Sequence, residues 1–514
     1  MADYSLSLFV AATCVFLLAV LYLWNLRKDR KEAASWGCGH LAVIPRNDPF
    51  GVFRFWQLLQ ARRERRMLPW MVDVMDSVGQ DVHTSKDTVL GHNIIWTRDP
   101  ENSRAVFMNS ANDFEIIVAR QQSPLPVIGS GIFTRTQKAW RESRAFFRPH
   151  VTRDQALKLD LVENHFKTLL NVIPIGDNGW TPDFDIQPLV YNLTLDLFTE
   201  ILFGSSANSQ VASGSKSQYD LFNHHWDSAQ EHLGIRAALG RFCWLYSPKK
   251  FRQHCRAIHD FTDTFVGAAL ERKQSQEVVE HGKTKVAIID ELVKVTSDRV
   301  QLRSECLNLL GAGRTGTAAL ISWVLYFLAR HPLVFTKLRN IVLAHFGSIH
   351  EPSKITLESL KQCQYLQDCI NETFRMSPVN PLTARVAIRN TTLPTGGGPE
   401  GKDPVFVAKG TEVQQAFYPM CMRKDLWGQD SETFRPERFE NRKLSSEWIP
   451  FGAGPRVCIG QSLALMEASY FLVRFLQAFD VIENSDPPGP ILYDLNILNR
   501  SASGVKVRLH AASL

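Results

Sequence analysis

A cysteine serves as an anionic ligand only where its surroundings stabilise the thiolate. Cys458 stands in such a place. It lies in the run Phe451-Gly452-Ala453-Gly454-Pro455-Arg456-Val457-Cys458-Ile459-Gly460, with Arg456 two residues before it. A run of helical character, Gln461-Ser462-Leu463-Ala464-Leu465-Met466-Glu467-Ala468, follows at once. Backbone N–H groups and the positive end of a helix dipole there favour the charged sulfur. The glycines permit tight turns and let backbone approach a large flat ligand. The arginine can pair with a carboxylate. One anionic sulfur, one flat ligand and a paired carboxylate describe a haem with a cysteine axial ligand. The competing reading is a buried structural thiol in a loop.

The pattern F-x-x-G-x-R-x-C-x-G resembles the haem-binding loop of the cytochrome P450 family. Phe451, Gly454, Arg456, Cys458 and Gly460 fill its fixed positions. The resemblance implies a mainly helical fold with small β-sheets and haem (iron protoporphyrin IX) as cofactor. Cys458 would be the axial ligand of the iron. Three further motifs follow the family's order, and they weigh against the structural thiol.

The first is Trp140 and Arg144, spaced i, i+4 and so on one helix face. An indole N–H beside a guanidinium suits a carboxylate, although surface Trp–Arg stacks are common. In the resembled family this pair contacts a haem propionate. Phe146-Phe147-Arg148-Pro149 also matches the family's usual sequence.

The second is Gly311-Ala312-Gly313-Arg314-Thr315-Gly316-Thr317, inside a helix expected from about Asp298 to Ala329. Such a helix is on the order of 45 Å long. Each interior glycine costs about 1 kcal/mol relative to alanine. Something large lying against the helix, such as a haem face, would explain them. Here the chain departs from the family pattern Ala/Gly-Gly-x-Asp/Glu-Thr-Thr/Ser. Thr315 occupies the acid position and Gly316 the first threonine position; Thr317 remains. The family's acid–alcohol pair relays protons during oxygen activation. Thr315 or Thr317 with water, or a polar group of the substrate, would have to replace it. Otherwise the protein is an isomerase or dehydratase that does not activate O₂, or it is inactive.

The third is Glu372 with Arg375, joined by Arg438 from Phe434-Arg435-Pro436-Glu437-Arg438-Phe439. An isolated E-x-x-R carries little weight. With Arg438 it resembles the family's structural Glu-Arg-Arg triad, a charge-assisted lock. Between the two parts, Pro378 to Arg385 reads as extended. In the family this stretch borders the substrate pocket, and an arginine in the position of Arg385 meets a propionate. Val386-Ala387-Ile388 and Val405-Phe406-Val407 read as a strand pair around a glycine turn. The insertion Leu393 to Pro399 and the early Trp36-Gly37-Cys38 resemble the fungal branch that hydroxylates alkanes and fatty acids.

The remaining elements must carry these groups. Helices are expected at Gly51 to Met67, Pro100 to Met108, Leu157 to Leu170, Pro188 to Leu202 and Tyr219 to Leu239. Strands are expected at Thr88 to Leu90 and Ile94 to Thr97. Asn112 to Gly131 reads as a loop able to cover a pocket. Asn192-Leu193-Thr194 matches a glycosylation sequon but should face the cytosol.

The chain has 514 residues, 45% hydrophobic and 21% charged, as in ordinary globular proteins. A net charge of +6 does not argue for nucleic acid. It suits a basic face toward an acidic partner or an anionic membrane. Nine cysteines at irregular spacing, with no C-x-x-C, read as reduced thiols.

Ser5 to Trp24 is an uncharged, largely apolar run, long enough to span a ~30 Å hydrocarbon core. Arg27, Lys28, Arg30 and Lys31 follow it, which orients the remainder to the cytosol. A cleaved signal peptide would carry its positive charges ahead of the apolar run. The division expected is 1–30 signal anchor with basic flank, 31–50 proline-containing linker, and 51–514 haem-thiolate catalytic domain. The location that follows is the endoplasmic reticulum membrane, single-pass. No flavin or nicotinamide segment is visible. Electrons should come from a separate NADPH-cytochrome P450 reductase, with cytochrome b5 as an optional second donor. The substrate expected is small and apolar, a long aliphatic chain or polyketide-like compound of fungal secondary metabolism, into which one oxygen atom of O₂ is inserted; membrane lipid is a further expected partner. A haem-based gas sensor is the non-enzymatic alternative, and no effector segment is present to support it.

Overall fold

The computed structural model describes residues 27–152, 159–211, 218–275, 287–350 and 355–512. The apolar run Ser5 to Trp24 lies outside them. Among the described residues, no single helix is long and apolar enough to cross a membrane.

The chain divides into two compact units. The first comprises 1–54, 73–115 and 384–415. It is built on a six-stranded sheet whose hairpin joins Thr84–Val89 to His92–Thr97. Val89 faces His92, so the turn is Leu90-Gly91, both at positive φ (49° and 77°). Such two-residue turns match the twist of the strands they join. The expected pairing of Val386–Ile388 with Val405–Val407 does not occur. Leu382–Ala387 joins the six-stranded sheet, and Thr391–Gly397 pairs with Asp403–Val407 instead. The glycine-rich insertion is therefore strand and turn, with Gly398 and Gly401 at positive φ.

The second unit, 55–72, 116–383 and 416–514, is mainly helical with two small sheets. The helices around the site take labels in chain order: α1 Gln137–Thr152, α2 Gln187–Phe203, α3 Gln218–Ala238, α4 Lys249–Gln274, α5 Arg299–Arg330, α6 Gln364–Met376 and α7 Gln461–Ala478. Central helix α5 starts at its N-cap Asp298, whose carboxylate accepts from the Val300 and Gln301 N–H groups. Helices α2, α4, α6 and α7 pack around it. That enclosure explains why almost every residue from Thr317 to Ala329 is buried and why the helix lacks a polar stripe.

Two expected elements differ. The helix expected from Gly51 to Met67 is Val52–Arg63, and a second helix starts at Met67. Arg65 between them takes φ 59°, which a continuous helix excludes. The expected loop Asn112 to Gly131 contains a short strand, Phe114–Ile116, and two short helices, Val118–Gln122 and Leu125–Ile128. Its turn residues mark joints between elements too short to show a period.

Candidate active site

The cysteine loop reverses tightly. Gly452 and Gly454 take φ 72° and 66°, and the Cys458 N–H closes the loop on the Phe451 carbonyl at 3.0 Å. These are left-handed conformations that favour glycine. The Phe451 ring meets Phe374 edge-on at 5.1 Å, which ties the loop to α6. Gly460 then caps α7.

Cys458 is exposed, yet protein surrounds it closely enough that burial pushes its thiol up. A side chain lining an internal space has both properties. The Gly460 N–H and the Arg144 guanidinium act in the opposite direction and favour the thiolate. Arg144 reaches the loop itself, donating to the Val457 carbonyl at 2.8 Å.

Trp140 stands near two cations. Arg144 sits 5.8 Å and Arg456 4.2 Å from its ring centroid. Arg456 also donates to the Arg135 carbonyl at 3.2 Å. Trp140, Arg144, Arg456, Phe451 and Cys458 therefore converge. Arg385 lies in the first unit, where its guanidinium stands 5.0 Å from the Phe107 ring centroid.

Glu372 and Arg375 are fully buried and joined by two hydrogen bonds, Nε to Oε2 at 2.7 Å and Nη2 to Oε1 at 2.8 Å. Arg438 Nε approaches Glu372 Oε1 at 3.4 Å, and the Arg435 N–H reaches the same oxygen at 2.9 Å. Arg438 also pairs with Asp430 at 2.8 Å. The three residues meet as one cluster.

The α5 glycines divide into two kinds. A Cβ on Gly311 would strike the Trp226 ring of α3, and one on Gly313 the Phe198 ring of α2. Protein aromatics, not a cofactor, account for these two. Gly316 alone would place its Cβ in open space. Thr315 is buried, and its Oγ1 meets no hydrogen-bond partner among the described residues. Thr317 Oγ1 donates to Glu467 Oε2 on α7 at 2.9 Å.

Two further groups stand out only in the structure. Glu467, on the helix after Cys458, is buried, and burial pushes its carboxyl up to about 8. Arg314 is almost wholly buried and holds Asn223 at 3.0 Å and Asp227 at 3.3 Å, both on α3. A charge where an apolar residue is due in a central helix was the available signal.

A haem fits these residues. The thiol and Gly316 both face open space, N–H and guanidinium groups favour the thiolate, and cations gather where carboxylates would lie. The cytochrome P450 family profile matches residues 47–504. The chain belongs to the cytochrome P450 family. It is 39% identical to Cytochrome P450 monooxygenase g430 of a Fusarium species, over 94% of this chain and 86% of that one. Cytochrome P450 monooxygenase alt2 of Alternaria solani is 36% identical, over 88% and 87%. Cytochrome P450 52A13 of Debaryomyces hansenii is 38% identical, over 90% and 89%. The protein is thus a cytochrome P450 monooxygenase of the branch these fungal and yeast relatives represent. Its cofactor is haem with a cysteine thiolate ligand, and it takes electrons from a redox partner.

Proposed function

We propose that Cys458 supplies the thiolate and that the enzyme inserts one oxygen atom of O₂ into a long-chain aliphatic or polyketide-like substrate. The observation that carries the assignment is a thiol, close to an N–H and a guanidinium, facing space the protein leaves open. Haem bound there would supply the oxygen chemistry, with the Cys458 thiolate as its electron-donating ligand. Trp140, Arg144 and Arg456 hold a propionate region. Phe451 fixes the loop, and Glu372, Arg375 and Arg438 form the structural lock beneath it. Thr315 and Thr317 carry protons on the oxygen side, with water or a polar substrate group replacing the missing acid.

Residues 1–30 anchor the chain in the endoplasmic reticulum membrane with residues 51–514 in the cytosol. Electrons come from NADPH-cytochrome P450 reductase. The substrate class and a place in fungal secondary metabolite biosynthesis are carried by the resemblance of Trp36-Gly37-Cys38 and Leu393 to Pro399 to the fungal branch and by the altered segment at Thr315 and Gly316; the relatives support the monooxygenase class.

The test reconstitutes haem-loaded protein with reductase, NADPH and medium-to-long-chain alkanes, fatty acids and polyketide-like chains. Product one oxygen heavier than substrate, formed in step with NADPH use, supports the proposal. Turnover yielding only hydrogen peroxide overturns it. The departure at Thr315 and Gly316 favours one second reading, an isomerase or dehydratase, which would act without reductase. Product only at the chain terminus of simple alkanes or fatty acids would place the enzyme in primary metabolism.

A further inference from the structure

Helices α3 and α4 run as a packed pair, joined through the short turn Gly240–Leu245. Where they face each other, three imidazoles meet. His224 and His225 come from α3, and His254 comes from α4. Successive helix positions diverge by roughly 100°. The two α3 rings nevertheless converge with the His254 ring in a near-equilateral triangle. Ring centroids lie 5.1 Å apart for His225 and His254, 5.9 Å for His224 and His254, and 5.5 Å for His224 and His225. One nitrogen from each residue can be chosen so that all lie within 4.8 Å of one another.

We propose that His224, His225 and His254 form a binding site for a divalent transition-metal ion of the zinc, nickel or copper type, stapling α3 to α4. This site is independent of the haem. Imidazole nitrogens bind such an ion at about 2.0–2.1 Å, which puts two ligand nitrogens roughly 3.3 Å apart in a tetrahedral set. His225 Nδ1 and His254 Nδ1 already stand 2.8 Å apart, so a small ring rotation opens that pair to the required spacing. His224 is exposed and free to turn inward. The donor set contains nitrogen only, which selects borderline metals over calcium or magnesium. Three ligands leave a fourth position for water. The nearby His232 is already engaged, its Nδ1 lying 2.9 Å from the Tyr246 hydroxyl.

The location gives the site a consequence. Asn223, Trp226 and Asp227, on the same turn of α3, contact Arg314 and Gly311 of the central helix. An ion at the three histidines would fix that turn from its other side. The alternative is a metal-free histidine hydrogen bond that only packs the two helices.

The test is calorimetric titration of the haem-loaded full chain with zinc chloride, against His224→Ala, His225→Ala, His254→Ala and, as a control, exposed His40→Ala. The site requires one saturable zinc per chain, affinity reduced at least tenfold in each of the first three variants, and no change in the control. It also requires a zinc-dependent rise in thermal midpoint that chelator reverses. If His225→Ala or His254→Ala fails to yield haem-loaded protein, His224→Ala decides, because its side chain is exposed. No saturable binding, or binding unchanged in His224→Ala, overturns the site; so does equal loss in His40→Ala.

Discussion

Thr317 on α5 donates its hydroxyl to Glu467 Oε2 on α7 at 2.9 Å, and both side chains are buried. The other carboxylate oxygen, Oε1, has no hydrogen-bond partner among the described residues. Burial raises the carboxyl to about 8, against the smaller lowering effect of Thr317. The folded protein therefore keeps a proton on Glu467 that the unfolded chain releases near its ordinary value. Stability from this group is complete below about pH 4.5, declines as pH rises, and levels off above about pH 8. Glu467→Gln stays neutral throughout. It should flatten the decline and gain on the wild type by a few kcal/mol toward pH 8. Denaturation of haem-loaded protein across that range measures the difference. Parallel curves for the two proteins would show that Glu467 ionises in the folded state.

The lock at Glu372 should be costly to open. Alanine there leaves the fully buried Arg375 without its carboxylate, at about 3–5 kcal/mol. Arg438→Ala should cost less, because Arg438 approaches Glu372 only at 3.4 Å and shares the half-exposed Asp430. Urea denaturation and the yield of haem-loaded protein should rank the two in that order.

The α5 glycines should behave oppositely when given a methyl group. Gly313→Ala forces the Phe198 ring to move and should cost about 1–3 kcal/mol. Gly316→Ala meets open space, so it should be neutral or gain up to about 1 kcal/mol from helix propensity. Its effect should instead appear in the absorbance change on adding a long-chain ligand. Equal destabilisation by both substitutions would contradict this division.

Arg314 and Asp227 make an asymmetric pair. Asp227→Ala leaves an almost wholly buried guanidinium without its carboxylate. Arg314→Met leaves Asp227 still paired with Arg500 at 3.2 Å and half-exposed. The aspartate variant should lose more stability than the methionine variant, by about 1–3 kcal/mol. Thermal midpoints at matched haem content compare them.

Much of the helical unit was legible because its helices are long runs of helix-forming residues bounded by breakers such as Gly204 and Pro332. The observed boundaries of α2, α3 and α5 fall within two residues of those expected. Short-range motifs were legible for the same reason: Trp140 with Arg144 and Glu372 with Arg375 are single-helix spacings. Strand partners were not, since Val405–Val407 alternates equally well for either partner, and register depends on the glycines at 396, 398 and 401. The glycines of α5 misled in part. A missing side chain records close approach but not by what, and at Gly311 and Gly313 the neighbours are Trp226 and Phe198 from distant sequence. Glu467 and Arg314 were hidden for a related reason: a charge's burial depends on helices that sequence spacing does not place.

Sulfur from Cys458 holding the iron is the central claim to test. Haem-loaded protein, reduced under carbon monoxide, should show the long-wavelength Soret band of a thiolate-bound porphyrin, and Cys458→His should move it to the shorter wavelength of an imidazole-bound one. A folded, haem-loaded wild type without that band, or a Cys458→His variant that retains it, would contradict the account.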